Sequence, residues 1–349
     1  MTQLRRTVWL LLLSMVLALA ACGGTDTTEG EIEQTDDPGE LVVYSGRSES
    51  LVQPIIDQFI EATGIDVQVK YGGTAELAAT LLEEGDASPA DVFYAQDPGG
   101  LGAVEEAGLL APLPAGLLER VPARFASADS LWVGISGRAR VVVHNTDQVT
   151  TEELPAELTG FTDPVWQGRI GWAPTNGSFQ AMVTAMRALW GDDATRAWLE
   201  GIQSNDPVVY EGNTPIVAAV GAGEVEVGFV NHYYLYRFLE EEGQAFPARN
   251  YFLPGGGPGS LIMVSGAGIL DSAANPDNAQ RFLEFLLSPE AQEYFTTETF
   301  EYPVIEGVEP WADLPPLAEL DQAAADINLT ELADLQGTVQ MLSEVGVLP

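Results

Sequence analysis

Residues 41–94 read LVVYSGRSESLVQPIIDQFIEATGIDVQVKYGGTAELAATLLEEGDASPADVFY, and this stretch decides the fold. Leu41-Val-Val-Tyr44 predicts a short buried strand. Leu51, Val52, Ile55, Ile56, Phe59 and Ile60 then recur at helical spacing, and Thr63-Gly64 predicts the stop. Ile65–Tyr71 alternates as a strand. Thr74 is placed to cap a helix that carries Leu77, Leu81 and Leu82 and ends at Gly85. Asp91-Val-Phe-Tyr94 is strand again. Strands alternating with helices predict an α/β protein with a mostly parallel sheet, covered on both faces.

The pattern continues with a short helix over Pro98–Gly108 and then restarts. Arg140–His144 and Ile170–Trp172 predict strands. A helix comes next, through Met182, Met186 and Leu189. Val208–Tyr210 leads to a helix near Thr214–Val220, and Val225–Val230 is a strand. Leu261–Ile269 predicts a Gly-interrupted strand that leads back to the first lobe. Asp277–Leu287 and Pro289–Phe295 predict helices. The expectation is two α/β lobes, 41–139 plus 264–310 and 140–263 plus 311–349, joined by a hinge of two crossings. Ligands of such sheets sit beyond the carboxyl ends of the strands, here in a cleft between lobes.

Ahead of the folded part, Arg5 and Arg6 precede an apolar run over Val8–Ala21 that ends Leu19-Ala-Ala-Cys22-Gly23. This predicts an export signal over 1–21, with Cys22 as the lipidated first residue of the mature chain. Residues 22–40 are acidic and nearly free of apolar side chains, which predicts a solvated tether. The chain has 349 residues, 14 Lys+Arg against 52 Asp+Glu, and a formal net charge of −38. That charge excludes general nucleic-acid binding, because phosphate is repelled. It also excludes docking to anionic lipid through a basic face. The expected membrane attachment is therefore the lipid anchor alone. One cysteine excludes a disulfide framework, and two histidines, His144 and His232, exclude a His-rich metal cluster.

Four local features carry candidate chemistry. Asn231-His-Tyr-Tyr234 comes directly after a buried strand. Its adjacent phenols either pack as half-buried aromatics or converge on one hard cation that displaces their protons. Thr175-Asn-Gly-Ser178 opens a helix and is either a plain capping turn or an anion seat. Arg138 and Arg140 are suited to oxyanions, or else form ion pairs. Tyr44-Ser-Gly-Arg47-Ser48 ends the first strand as a turn. His144 comes after three valines and reads as a core residue. Gly255–Gly259 is Gly-rich, but no lysine-bearing helix comes after it, so it reads as a mobile loop and not a phosphate cradle. There is no nucleophile elbow or zinc-protease motif, and no enzymatic activity is expected.

At these residues the sequence resembles the periplasmic ferric-iron-binding proteins, the type II bilobal solute-binding proteins of ATP-driven (ABC) iron importers. The matching stretches run from Tyr44-Ser-Gly-Arg-Ser-Glu49 through Pro89–Gln96, Ser136–His144, Trp166–Gly171, Gly223–Gly228 and Asn231–Tyr234. Pro258–Leu261, Ser265–Gly268 and Glu301-Tyr-Pro303 complete them. The resemblance implies a two-lobed periplasmic-binding-protein fold that closes on Fe(III) with a synergistic anion such as carbonate or phosphate. It places the metal ligands on Tyr233 and Tyr234. It places the anion contacts on Asn176, Gly177, Ser178, Asn213, Asn231 and Arg138. Arg47, Ser48 and Gln96 are the possible first-lobe contacts. The expected partner is the ABC permease of an iron importer, and the expected state is a monomer.

The chain departs from the family's pattern. Ser48 stands where many members have His, Gln96 where many have Glu, and Phe179 where some have a third Tyr. These departures leave the first lobe short of ligands and keep a rival open. The rival is the same fold holding a polyamine, thiamine, phosphonate or other organic solute against Trp172, Phe179 and Tyr234.

Overall fold

The computed structural model describes residues 38–311, 314–317, 319–320, 329, 332 and 334–348. The export signal, Cys22 and nearly all of the tether lie outside the described residues. The first strand, β1 (Glu40–Ser45), leads into α1 (Glu49–Thr63), β2 (Asp66–Tyr71) and α2 (Thr74–Glu84). Next come β3 (Val92–Ala95), α3 (Pro98–Glu106) and the single turn α4 (Ala115–Leu118). The apolar stripe of α1 is buried as Leu51, Val52, Ile55, Ile56 and Phe59, the helical spacing read from the sequence. Gly64 ends it at φ 73°, a left-handed conformation that favours glycine. Thr74 is not a cap: Gly73 holds that position, and the Thr74 hydroxyl accepts the Gln96 N–H at 3.0 Å. It thereby ties α2 to the end of β3.

The centre of the molecule is β4 (Val133–Asn145), all 13 residues of which are buried. The sequence signal covers only its second half, because Arg138 and the glycines interrupt the apolar run. After β4 come β5 (Ile170–Trp172), α5 (Gly177–Trp190), α6 (Asp192–Ser204), β6 (Val208–Val209) and α7 (Asn213–Ala222). The chain continues through β7 (Val227–Asn231), α8 (Tyr233–Glu242), β8 (Ala248–Tyr251) and β9 (Ile262–Ile269). It ends with α9 (Pro276–Leu286), α10 (Pro289–Thr297) and α11 (Leu335–Glu344).

The strands are ordered β2-β1-β3-β9-β4-β7-β5-β6, with β8 also beside β4. β1 pairs in parallel with β2 and β3, and β5 pairs in parallel with β6 and β7. The joins are antiparallel: β9 to β3, and β4 to β9, β7 and β8. β4 changes partner in mid-strand. Ala139 is opposite Ile262 of β9, and the next residue, Arg140, is opposite Asn231 of β7. The parallel strands β1, β3, β5 and β7 all deliver their carboxyl-end residues toward this switch.

One core runs through the first half-sheet and across β4, and a second fills the far half around Phe161, Trp166, Trp172, Phe179 and Phe229. Trp172 and Phe179 meet edge-to-face at 5.7 Å inside that second core. They are packing residues there, which removes two walls of the aromatic cage that the organic-solute rival needs. The glycine-rich stretch ends in a short turn over Gly257–Ser260, where Pro258 and Gly259 are buried. A Cβ on buried Gly259 would stand 2.4 Å from the Leu253 side chain.

Candidate functional site

The site builds up from the strand ends around the β4 switch. Arg138 and Arg140 are two apart on a strand, so both guanidiniums leave the same face. Both are essentially inaccessible to solvent. Arg140 donates to Asn231 Oδ1 at 3.0 Å and to Asn213 Oδ1 at 3.4 Å. Arg138 has no hydrogen-bond partner for any of its three side-chain nitrogens among the described residues. Among the described residues neither forms the ion pair that was one reading of them. Burial pushes Arg138 down, and its neighbours Tyr233, Arg47, Glu301 and Asp97 modulate the effect. Arg140 is pushed down to about 9 by burial, partly offset by Tyr234 and Tyr233. It stays charged at neutral pH.

Tyr233 and Tyr234 open α8 straight after β7. Their rings stack at 4.3 Å with 28° between planes. Tyr233 is fully buried, and among the described residues its hydroxyl makes no hydrogen bond of ordinary geometry. Burial raises the Tyr234 phenol, the Tyr233 hydroxyl raises it further, and Arg138 and Arg47 pull the other way. The preceding His232 is not a free ligand. Its Nδ1 accepts the Ala139 N–H at 3.1 Å and its Nε2 donates to the Phe300 carbonyl at 2.8 Å. It therefore clamps the end of β7 to the β4 switch and to the 300-loop.

The predicted anion turn is brought beside the tyrosine strand, and several of its polar groups bond to one another. Asn176 caps α5, its Oδ1 accepting from Ser178 N, Phe179 N and Asn213 Nδ2. Asn231 Nδ2 donates to Ser178 Oγ at 3.0 Å, and Asn213 Oδ1 accepts the Asn231 N–H at 3.1 Å. The capping role and the gathering of Asn176, Ser178, Asn213 and Asn231 are thus both realised. Gly177 faces the opposite half of the sheet: a Cβ there would lie 3.5 Å from Asp97 Oδ2.

From the first half-sheet, Arg47 is fully buried. It donates to Gln96 Oε1 at 2.7 Å and to Glu301 Oε2 at 2.5 Å. Burial alone would lower Arg47, but Glu301 and the phenols of Tyr94 and Tyr233 hold it above the usual arginine range. Gln96 therefore spends its carbonyl on Arg47. Ser48 follows as the N-cap of α1, where it is exposed and makes no side-chain cap bond.

Three further residues belong here that the sequence reading did not single out. Glu301 is fully buried. It arrives through Phe300, whose φ of 57° turns the chain inward. Asp97 is buried next to Gln96, and its carboxyl is raised by burial, with Arg138 opposing. Tyr94 lies in β3 with its phenol pushed up to about 12 by burial. Glu301 and Tyr94 stand inside motif stretches, but nothing local marks either as part of a site. Asp97 has no signal beyond its place just after a strand.

The arrangement is a buried, charged site that brings together phenol, carboxyl and guanidinium groups. Among the described residues it contains no nucleophile activated by a neighbouring base. The bacterial extracellular solute-binding protein family matches residues 44–293. The major ferric iron-binding protein of Neisseria meningitidis is 34% identical over 311 residues, 88% of this chain and 93% of that one. The Fe(3+)-binding periplasmic protein of Serratia marcescens is 34% identical over 310 residues, 88% and 90% of the two chains. The crystal structure of iron-bound HitA from Pseudomonas aeruginosa superposes with a TM-score of 0.84 at 34% identity, covering 88% of this chain and all of that one.

The chain is a bacterial extracellular solute-binding protein, a substrate-binding transport component and not an enzyme. Within that family it belongs with the periplasmic ferric-iron-binding proteins, and its bilobal α/β fold is theirs.

Proposed function

We propose that this protein captures ferric iron, together with a synergistic anion, between its two half-sheets and delivers it to an ABC-type importer. The observation that carries this reading is the stacked Tyr233–Tyr234 pair, lodged against Arg138 and Arg140 at the β4 switch. Phenolate is a hard oxygen donor suited to a trivalent cation. Burial keeps the Tyr234 phenol protonated without metal. The cation must therefore displace protons, and the buried guanidiniums stabilise the phenolates it leaves.

The lobes of the mechanism are 41–139 plus 264–310 and 140–263 plus 311–349. The change of partner between Ala139 and Arg140 supports that division. Opening and closing bend β4 near Arg138–Val142 and β9 near Val264–Gly268, and the cargo selects the closed form. Release requires the permease to favour the open one. Cys22 carries the lipid that holds a monomeric protein at the outer face of the cell membrane, with the acidic segment as its tether. Among the described residues no helix is long and apolar enough to cross a membrane.

The test is colour. Adding ferric citrate with bicarbonate or phosphate to the metal-free chain should produce a visible tyrosinate-to-iron band. The band should vanish in the double variant Tyr233→Phe/Tyr234→Phe. A colourless complex, or a band unchanged in that variant, sinks the reading.

A further inference from the structure

The last helix, α11, makes contacts that the capture of cargo does not use. It buries Thr338, Met341 and Leu342, and the last two are part of the second core. Thr338 shares a hydroxyl hydrogen bond with Thr184 of α5 at 2.8 Å. Arg187, also on α5, meets the Asp334 carboxylate at 2.9 Å and donates to Thr338 Oγ1 at 3.2 Å. Its guanidinium lies so close over Gly337 that a Cβ there would stand 2.8 Å from Nη1. These contacts mount α11 on α5, so it moves with the second lobe of the proposed mechanism.

The first turn of the same helix touches the other lobe. Leu335, three residues before Thr338, is half-buried and lies on the same stripe. It lines a groove of about 510 Å³ between α2 and α3, with Ala75, Ala78, Gly100 and Ala103 opposite. The small side chains leave room for a leucine. Leu335 also borders the edge of the cleft, where it shares a cavity with Gln96, Asp97 and Gly177. Just ahead of it, Leu332 is buried in the first core. The Leu332 carbonyl stands 3.1 Å from where a Cβ on Gly99 of α3 would be. One short segment is thus fastened to one lobe and seated on the other.

We infer that α11 is a latch: carried by the second lobe, it seats Leu335 in the α2–α3 groove of the first lobe when the lobes come together, and so sets how long cargo is held. The inference rests on the two-lobe hinge of the proposed function and not on the identity of the cargo. A contact made only in the closed form adds its whole free energy to that form and shifts the opening equilibrium by the same amount. Parting the lobes returns the Leu335 side chain and the alanines of the groove to water, which opposes opening. β4 and β9 set the path of closure, and the latch sets its lifetime.

The test uses the full mature chain and three variants: Leu335→Ser, Leu335→Met and Val339→Ser. Val339 is on the same helix but 38% exposed. Iron-loaded protein is mixed with excess chelator, and the loss of the visible band gives the release rate. Leu335→Ser should release iron roughly threefold faster or more, while Leu335→Met and Val339→Ser keep the parent rate. The band of the loaded chain should stay at the parent's position in all three, which shows an intact site. Small-angle scattering of the iron-free chain should give a larger radius of gyration for Leu335→Ser alone.

An unchanged release rate or radius in Leu335→Ser, equal acceleration by Val339→Ser, or a shifted band overturns the latch. The scattering needs no iron, so the two readings fail separately. If Leu335→Ser enlarges the iron-free chain and no iron band ever forms, only the ferric reading falls. If the band forms and Leu335→Ser changes neither size nor release, only the latch falls.

Discussion

Arg47 and Glu301 lie 254 positions apart in the chain and meet as a fully buried ion pair at 2.5 Å, at the mouth of the tyrosine site. Thr299 donates a second hydrogen bond to the same carboxylate oxygen at 3.0 Å. The pair fixes the 300-loop against the end of β1, and with it the Phe300 carbonyl that receives His232.

Removing one partner of a buried pair leaves a bare charge. Glu301→Gln should therefore destabilise the iron-free chain by about 3 kcal/mol, whereas the double variant Arg47→Met/Glu301→Leu recovers most of that loss. Urea denaturation of the three proteins decides it. A single variant as stable as the parent shows that the pair does not hold the loop.

Tyr233 presents the opposite case, a buried hydroxyl without a partner of ordinary hydrogen-bond geometry among the described residues. Tyr233→Phe should leave iron-free stability unchanged or raise it by up to about 1 kcal/mol, since nothing is left unpaired. The same change should abolish most of the iron band. Thermal melts and absorbance on one preparation report both outcomes, and a strongly destabilised variant contradicts the geometry.

The His232 imidazole is held down to about 4 from 6.5, chiefly by burial. The unfolded chain therefore takes up a proton between those values while the folded chain does not. Stability is full above about pH 6.5 and is lost as the pH falls toward 4, by on the order of 3 kcal/mol. His232→Gln should flatten that slope in iron-free protein. His144 is lowered in the same direction by burial and should keep its own smaller share. An unchanged slope in the variant refutes the assignment.

Iron binding through two phenols releases their protons, so affinity should weaken as the medium becomes acidic. With two protons released per iron, the affinity should fall by up to about a hundredfold per pH unit. A competition titration against a chelator at pH 6, 7 and 8, corrected for the chelator's own protonation, measures it. A flat profile excludes phenolate ligation.

The helices and strands with strong periodicity were legible in the sequence. In α1 the stripe from Leu51 to Phe59 and the Gly64 stop appear as read. Two other elements were not. α6 buries Thr195, Trp198, Leu199 and Ile202 among 13 residues, a clear stripe that the reading passed over because it comes straight after α5 with only Gly191 between them. β8, Ala-Arg-Asn-Tyr, has no strand signature, and it exists because β4 offers it a ladder. The Tyr233–Tyr234 pair was visible because its members are adjacent. A motif gives only neighbourhood in sequence, so the exposed position of Ser48 at the N-cap of α1 came from the structure alone.

The sequence by itself determined the alternating α/β architecture, the two-crossing layout and the phenol pair, because periodicity, caps and adjacency are local properties of the chain. Only the tertiary structure decided the charge of the cleft. Arg47, Arg138, Arg140, Asp97 and Glu301 come from four separate segments, and burial and partner assignment arise only once those segments are packed. Folding pairs one guanidinium with Glu301, ties another to asparagine amides and leaves the third bare among the described residues, and no local pattern encodes that distribution.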